Sequence, residues 1–256
     1  EISYAYSVSH LIKNNSLERN NENGFLGVAP ERFSDPGLSI LKNSAKEVTS
    51  ACNVMNGELF IGEEASKEHF LDQMDQYQTI HLSTHANSGS SDSTWISFRD
   101  QKLSGNEIYG EKNDAELIVL SACRTSLGEM IAGEGIMSLS RAFFHAGAAS
   151  VLSTLWNVND QVSVGIIADF YQALVTGKSR AAALRTAKLN YLSSHSGSGI
   201  SPYFWSSYIM IGDGGKLNLQ SSKTSSTPLL ISVFLILGII VFIVLMRKKS
   251  MEAKNT

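Results

Sequence analysis

Two residues with reactive side chains stand at the ends of two apolar runs. His85 lies at the end of TIHLSTHA (79–86), and Cys123 closes ELIVLSAC (116–123). The apolar residues of these runs do not alternate cleanly with polar ones, which is typical of strands buried on both faces of a parallel sheet. Ligands bind beyond the carboxyl ends of such strands, so His85 and Cys123 are expected at the edge where active sites form.

A cysteine and a histidine at that edge could catalyse acyl transfer. The Cys123 thiolate would attack a carbonyl carbon, while His85 would take the thiol proton and later protonate the leaving amine. The backbone N–H groups of Ala86 or Asn87 and of Cys123 could stabilise the oxyanion. The residues by themselves leave a second interpretation open, because a buried cysteine or histidine at a strand end often only packs.

The elements that must position these residues alternate along the chain. Short apolar runs bounded by turns are followed by longer stretches of helical period, which indicates βα units on a mostly parallel sheet. Two polar stretches, residues 14–24 and 85–93, are predicted as mobile loops. The predicted strands are 2–8, 25–29, 58–61, 79–84, 116–122, 150–155 and 208–211, and the predicted helices are 40–56, 67–76, 134–146, 161–176 and 179–194.

Residues 229–246 form an uncharged run, LLISVFLILGIIVFIVLM. As a helix this run would rise about 27 Å, which is enough to span the hydrocarbon core of a bilayer. Three basic residues (247–249) follow at once, and the positive-inside rule therefore predicts a cytoplasmic tail and an extracytoplasmic domain. Lysines on the near side reduce that asymmetry, so a tail-anchored protein with a cytoplasmic domain is the alternative.

Composition sets the protein class. Of 256 residues, 43% are apolar and 18% are charged, which excludes a disordered chain and a charge-rich coiled coil. The formal charge of −3 divides into +3 after Thr227 and −6 before it, so the mildly acidic domain is not expected to bind nucleic acid. We predict a domain over residues 1–216, a polar linker over 217–227, a transmembrane helix over 228–246 and a basic tail over 247–256.

Other kinds of site find little support. His81 and His85 have the i, i+4 spacing of a zinc-binding helix, but on a strand their side chains would lie about 13 Å apart. GEMIAGEG (128–135) lacks the GK[ST] ending of a phosphate loop, and neither GxSxG nor GxGxxG follows a predicted strand. The sequence therefore predicts no metal site and no cofactor.

Several segments together resemble the CHAT family, the caspase-like domains associated with tetratricopeptide repeats. The similarity runs in order over residues 1–216 and implies a caspase-like three-layer α/β fold with a mostly parallel central sheet, here followed by a single transmembrane helix. The segments are FIGEEASKEHF (60–70), TIHLSTHA (79–86), LIVLSACRTSLGE (117–129), GEGIMSLSRAFFHAGAASVLSTLWNVND (133–160), DFYQALVTGKSRAAALRTAKLNYL (169–192) and SPYFWSSYIMIGD (201–213).

The resemblance also implies chemistry. CHAT domains are similar to caspases, gingipains and separases, so His85 and Cys123 are expected on adjacent parallel strands as the dyad of a cysteine peptidase. Ala86 stands where many of these peptidases carry glycine, and the backbone donor for the oxyanion survives that change. Asp160 follows the predicted strand 150–155, and its resemblance to the corresponding separase-like segment implies cleavage after Arg or Lys. Asp160 could equally cap the next helix.

The sequence thus predicts a membrane-tethered cysteine endopeptidase that cleaves proteins or peptides. We expect it to be latent until an upstream or partner-driven rearrangement completes the cleft, with tetratricopeptide repeats upstream or a regulatory protein as partners. The alternative is a non-catalytic binding module that keeps the caspase-like fold as a scaffold. Both reactive residues are present, which favours the peptidase.

Overall fold

A central six-stranded sheet organises the domain in the computed structural model, which describes residues 1–5, 8, 12, 19, 21, 23–87, 94–121, 135–156 and 160–219. Its order is β2-β1-β3-β7-β8-β9, and every neighbouring pair is parallel except β8 with β9. The strands of the described residues are β1 (Asn23–Ala29), β2 (Glu58–Ile61), β3 (Tyr77–Leu82), β4 (Ala86–Asn87), β5 (Trp95–Ser97), β6 (Lys102–Ser104), β7 (Leu117–Leu120), β8 (Ser150–Thr154) and β9 (Tyr208–Gly212).

Helices cover both faces of this sheet and complete three layers. The first, fifth and sixth helices pack on one face, while the second, third and fourth pack on the other. The helices of the described residues are α1 (Ser44–Met55), α2 (Lys67–Gln73), α3 (Gly105–Gly110), α4 (Gly135–Ala146), α5 (Asp160–Val175), α6 (Arg180–Ser194) and α7 (Pro202–Trp205).

The strands alternate their side chains between two apolar cores. In β1, Leu26 and Val28 belong to the core beneath α2, α3 and α4, whereas Phe25 belongs to the core beneath α1, α5 and α6. All six residues of β3 are buried, as expected for a central strand with helices on both faces. His81 follows Ile80 in β3 and therefore faces α1 and α5.

Most predicted elements are confirmed. Six predicted strands match sheet strands to within two residues at either end. In the predicted strand 2–8, the part that the structure describes forms one bridge, in which Tyr4 pairs with Ile211 of β9. The predicted helix 40–56 begins later, at Ser44, because the chain before it closes a turn in which Leu41 N donates to Glu31 O.

A second, smaller sheet was not predicted. Strands β4, β5 and β6 form an antiparallel sheet in the order β4-β5-β6. Each has two or three residues, which is too short to show a period in the sequence. Strand β4 falls in the predicted mobile loop 85–93, of which residues 88–93 lie outside the described residues, as do most residues of the predicted loop 14–24.

The C-terminal segment forms a separate unit. The chain divides into a compact unit, Glu1–Gln220, and a second unit, Ser221–Thr256. The second unit, with the predicted transmembrane helix and basic tail, lies outside the described residues. Within the described ranges, no helix is both long and apolar enough to cross a membrane.

Candidate active site

The chain adds its second and third strands on opposite sides of β1. From β1 the chain moves outward to β2 and then returns to the other side of β1 for β3. In sheets of this kind the connections leave β1 and β3 on opposite faces, which opens a crevice beyond the carboxyl ends of these two strands. His85 comes three residues after the end of β3, and the segment after β1 reaches it from the other side.

His85 is held in one orientation by the backbone of that segment. Its imidazole is 2% exposed, and Nε2 lies 2.8 Å from the carbonyl oxygen of Ser39. A carbonyl only accepts, so Nε2 carries the proton and the lone pair of the neutral ring is on Nδ1. The Phe33 ring packs against the imidazole with centroids 4.9 Å apart. Nδ1 is buried and has no hydrogen-bond partner among the described residues, which leaves it as the candidate base.

The segment that presents the Ser39 carbonyl contains a strained residue. Glu31 has φ = 58°, a conformation that side chains other than glycine rarely adopt. Its carbonyl accepts a hydrogen bond of 2.9 Å from Leu41 N, and the Leu41 side chain is buried. This bond closes the turn that carries Ser39, so the position of its carbonyl is set by the fold.

The direction of the Ala86 N–H follows from the pairing of β4 with β5. Ser97 N donates to His85 O at 2.8 Å, so the residue before β4 is hydrogen-bonded to the last residue of β5. Ala86 stands opposite Ile96 in the next pair, where the N–H groups point away from the partner strand. The Ala86 N–H is therefore directed out of this small sheet.

Cys123 lies outside the described residues, and its pairing with His85 stays a prediction. The adjacency of the two strands is confirmed: β3 pairs with β7 in parallel, from Thr79 with Leu117 to Leu82 with Leu120. Ser121 N donates to Leu82 O at 3.0 Å and continues this pairing beyond β7. Asp160 is the first residue of α5, but its side chain is not among those described.

A buried ionisable pair lies on the face of the sheet that α1 and α5 cover. Glu47 of α1 and His81 of β3 are 4% and 0% exposed, and Oε1 of Glu47 is 3.1 Å from Nε2 of His81. Ser163 of α5 donates to the other carboxylate oxygen, Oε2, at 2.7 Å. Burial alone would raise the pKa of Glu47, but hydrogen bonds from His81 and Ser163 and the nearby His81 charge hold it below its ordinary value. Glu47 is therefore a buried anion.

This carboxylate borders a small polar cavity, which we call the Glu47 cavity. Its volume is about 20 Å³, enough for one water molecule or a group of similar size. Serines from the ends of β3 and β7 and from the first turns of α1 and α5 supply most of its lining. The lining residues are Leu41, Asn43, Ser44, Glu47, Ser83, Ser121 and Ser163.

Sequence reasoning missed Glu47 and Ser39 for different reasons. The buried stripe of α1 contains Ser44, Val48 and Ala51, which places Glu47 on the same face of the helix. A carboxylate in a buried stripe was a detectable signal, and so was the histidine within the apolar run of β3. The Ser39 contact uses a backbone carbonyl, so no side-chain pattern could reveal it.

Sequence comparison identifies the family. The CHAT domain family model matches residues 1–213. Tetratricopeptide repeat protein 28 of Homo sapiens is 31% identical over 145 residues, which cover 57% of this chain and 6% of that protein. The Mus musculus protein of the same name is 33% identical over 124 residues, covering 48% and 5%. The chain thus spans only a small part of the length of these curated relatives.

Solved structures share the fold. The Arg-specific cysteine proteinase gingipain R matches with a TM-score of 0.58 at 12% identity, over 82% of this chain and 52% of that chain. Separase in the Saccharomyces cerevisiae separase–securin complex matches with a TM-score of 0.55 at 14% identity, over 82% and 13%. These likenesses confirm the predicted caspase-like α/β fold. These structures show the fold of the caspase-like cysteine peptidases. The family match over residues 1–213 shows that the chain belongs to the CHAT domain family.

Proposed function

We propose that this domain is a cysteine endopeptidase in which Cys123 is the nucleophile and His85 its base. The observation that carries the proposal is the orientation of His85, whose Nε2 is bonded to Ser39 O and whose Nδ1 is left as acceptor. Strand register adds support. Paired residues of β3 and β7, such as Thr79 and Leu117, are 38 positions apart in the sequence, and the same interval separates His85 from Cys123.

The proposed reaction is acyl transfer to sulfur followed by hydrolysis. The Cys123 thiol gives its proton to Nδ1 of His85, and the thiolate adds to the scissile carbonyl carbon. The N–H groups of Ala86 and Cys123 stabilise the resulting oxyanion. When the C–N bond breaks, His85 returns the proton to the leaving amine, and water then hydrolyses the thioester with His85 again as base.

We propose that cleavage follows a basic residue, with Asp160 binding its charge. Helix α5 begins at Asp160 and comes after β8, whose carboxyl end lies at the same sheet edge as that of β3. A carboxylate at this edge could pair with Arg or Lys of a substrate. Gingipain R, which shares the fold, is described as Arg specific. A capping role for Asp160 is compatible with this one, because a carboxylate at a helix N-terminus interacts favourably with the helix dipole.

We also propose that tetratricopeptide repeats or a partner protein regulate the domain. The curated relatives are much longer tetratricopeptide repeat proteins, and separase was solved with securin. We expect the isolated chain to be latent and to gain activity when repeats or a partner engage it. Cleavage at full rate by the isolated chain would contradict latency.

Membrane tethering is also proposed, on the basis of residues 229–246 and the basic residues that follow. The expected topology is single-pass, with the domain extracytoplasmic and the tail cytoplasmic. An impermeant protease added to intact cells should digest the domain. Protection of the domain would place it in the cytoplasm, and release of the protein by carbonate extraction would argue against a span.

A peptide library tests the enzymatic proposal. The full 256-residue chain, with and without candidate partners, is incubated with mixed peptides beside Cys123→Ala, and the cleavage sites are read by mass spectrometry. We expect cuts after Arg or Lys that the Cys123→Ala chain does not make. Cys52→Ala is the matched control, because Cys52 is buried in the core beneath α1, α5 and α6 and should not affect cleavage. Cuts that persist in Cys123→Ala would exclude the dyad.

A binding module is the second candidate function. It is favoured by the names of the curated relatives, which describe tetratricopeptide repeats rather than peptidase activity. This function predicts no cysteine-dependent cleavage under any added partner, together with partner binding that survives Cys123→Ala. The library experiment therefore separates the two functions.

A further inference from the structure

We propose that Thr84 is a positioning residue for the imidazole of His85 and for the backbone N–H of Ala86. Its hydroxyl holds the chain where β3 leads into β4, and thereby sets the direction of both groups. The inference rests on the proposed peptidase function, which gives His85 its role as base. The contacts that carry it do not involve Cys123. Thr84 would act through the backbone rather than on the reacting atoms.

The Thr84 hydroxyl makes a buried hydrogen bond that completes the attachment of His85 to β5. His85 stands opposite Ser97, one position before the pair of Ala86 with Ile96. A regular antiparallel ladder joins two such residues by two N–H···O bonds. Here Ser97 N donates to His85 O at 2.8 Å, and Thr84 Oγ1 donates to Ser97 O at 2.5 Å. The side chain thus supplies the second bond.

This bond lies where water does not compete for it. Thr84 and Ser97 are 0% and 2% exposed. A hydrogen bond between buried groups is stronger than the same bond in water, and a buried carbonyl that loses its donor carries the full cost of desolvation. The Ser97 carbonyl therefore favours the one conformation of the connection in which the Thr84 hydroxyl reaches it.

Ser97 is a fixed point of the domain. Its neighbours Ile96 and Phe98 are 0% and 1% exposed, and both belong to the core beneath α2, α3 and α4. Phe98 N donates to Gln101 O at 2.8 Å and closes the turn between β5 and β6. A bond to Ser97 therefore ties the segment that carries His85 to the packed core.

Two properties of the site depend on this tie. The imidazole bonds to Ser39 O across 2.8 Å, which requires a particular position of the His85 backbone relative to the segment after β1. The Ala86 N–H points out of the small sheet because Ala86 follows the position at which His85 is bonded to Ser97. Hydrogen bonds weaken steeply as their angle departs from linear, so a rotation of the connection would weaken the first contact and redirect the second group.

Nitrogen NMR of the full ¹⁵N-histidine-labelled chain tests the proposal on His85 itself. Thr84→Val nearly keeps the shape of the side chain and removes its donor. The ratio of the Nε2–H to the Nδ1–H form of neutral His85 should fall by roughly fivefold, which corresponds to the loss of one hydrogen bond. Thr84→Ser keeps the donor and should retain the parent ratio. A parent ratio in Thr84→Val would overturn the proposal.

The matched control is Thr79→Val, which makes the same change within β3. Thr79 is also 0% exposed, but its hydroxyl has no hydrogen-bond partner among the described residues. This variant should keep the parent ratio. Equal changes in Thr84→Val and Thr79→Val would overturn the proposal, as would a change that Thr84→Ser shares, because either result would indicate altered packing rather than loss of the donor.

Urea unfolding shows whether each variant is folded under the NMR conditions. If valine is not accommodated at this position, Thr84→Ala removes the same donor with a smaller side chain, and the same fall in the His85 ratio is expected. Cleavage by the parent chain separates this proposal from the peptidase function. Cys123-dependent cuts together with an unchanged ratio in Thr84→Val would reject the positioning role alone. A lower ratio in Thr84→Val, with no cleavage by the parent chain under any added partner, would reject the peptidase alone.

Discussion

Nε2 of His85 donates a hydrogen bond to the carbonyl oxygen of Ser39 across 2.8 Å. The two residues lie 46 positions apart in the sequence, and the bond joins the end of β3 to the segment after β1. It assigns the proton of the neutral ring to Nε2 and directs Nδ1 away from Ser39. The candidate base is thus prepared by the backbone, with no third side chain required.

The first prediction concerns the tautomer of His85. Nitrogen NMR of the ¹⁵N-histidine-labelled chain should show His85 as the Nε2–H tautomer when neutral, because the Ser39 carbonyl can only accept. The His85 signal is assigned as the one that is missing from the spectrum of the His85→Gln variant. A neutral ring protonated at Nδ1 would contradict the contact and remove the proposed base.

The second prediction concerns acid stability. The pKa of Glu47 is lower in the folded protein than its ordinary value of 4.5, so the unfolded chain binds the proton more readily. The stability that Glu47 contributes is complete above pH 4.5 and is lost as the pH falls through its folded pKa. Urea unfolding should show the parent chain more stable than Glu47→Gln at pH 7, with a difference that shrinks at pH 3. A difference independent of pH would contradict this sign.

The third prediction concerns Arg180, which is 1% exposed at the start of α6. Its guanidinium pairs with Asp213 and donates to Glu116 O at 2.7 Å, to Ser150 Oγ at 3.0 Å and to Gly215 O at 3.1 Å. Arg180→Ala removes the donor from all four acceptors and should cost about 3–5 kcal/mol of unfolding free energy.

The control for Arg180 is Arg185→Ala, which removes an exposed arginine from the same helix. It should change the unfolding free energy by less than about 0.5 kcal/mol. Chemical denaturation measures both variants. Similar losses in the two would show that the buried contacts of Arg180 contribute little.

The fourth prediction compares two glycines. Gly147 has φ = 122°, and a Cβ there would lie 2.3 Å from the carbonyl oxygen of Asn113. Gly147→Ala should therefore destabilise the domain by about 1–3 kcal/mol. Gly165 lies inside α5 with open space at its Cβ position, so Gly165→Ala should stabilise by up to about 1 kcal/mol. Differential scanning calorimetry should show a lower melting temperature for Gly147→Ala and a higher one for Gly165→Ala than for the parent chain.

The sequence by itself determined the main architecture and the candidate dyad. Apolar runs and helical periods are local patterns, and they placed six of the sheet strands within two residues of their positions. The same patterns put His85 at the end of a buried strand. They also predicted a strand that ends just before Cys123. The family resemblance then implied that this strand lies beside the one before His85, as β7 lies beside β3.

Only the tertiary structure decided which groups surround the site. The Ser39 carbonyl reaches His85, and Glu47 reaches His81 across 34 positions, through contacts between segments that no local period connects. The small sheet of β4, β5 and β6 was missed because strands of two or three residues are stabilised by their neighbours rather than by their own pattern. Periodicity reports which face of an element is buried, whereas the partner on that face is set by the packing of the whole chain.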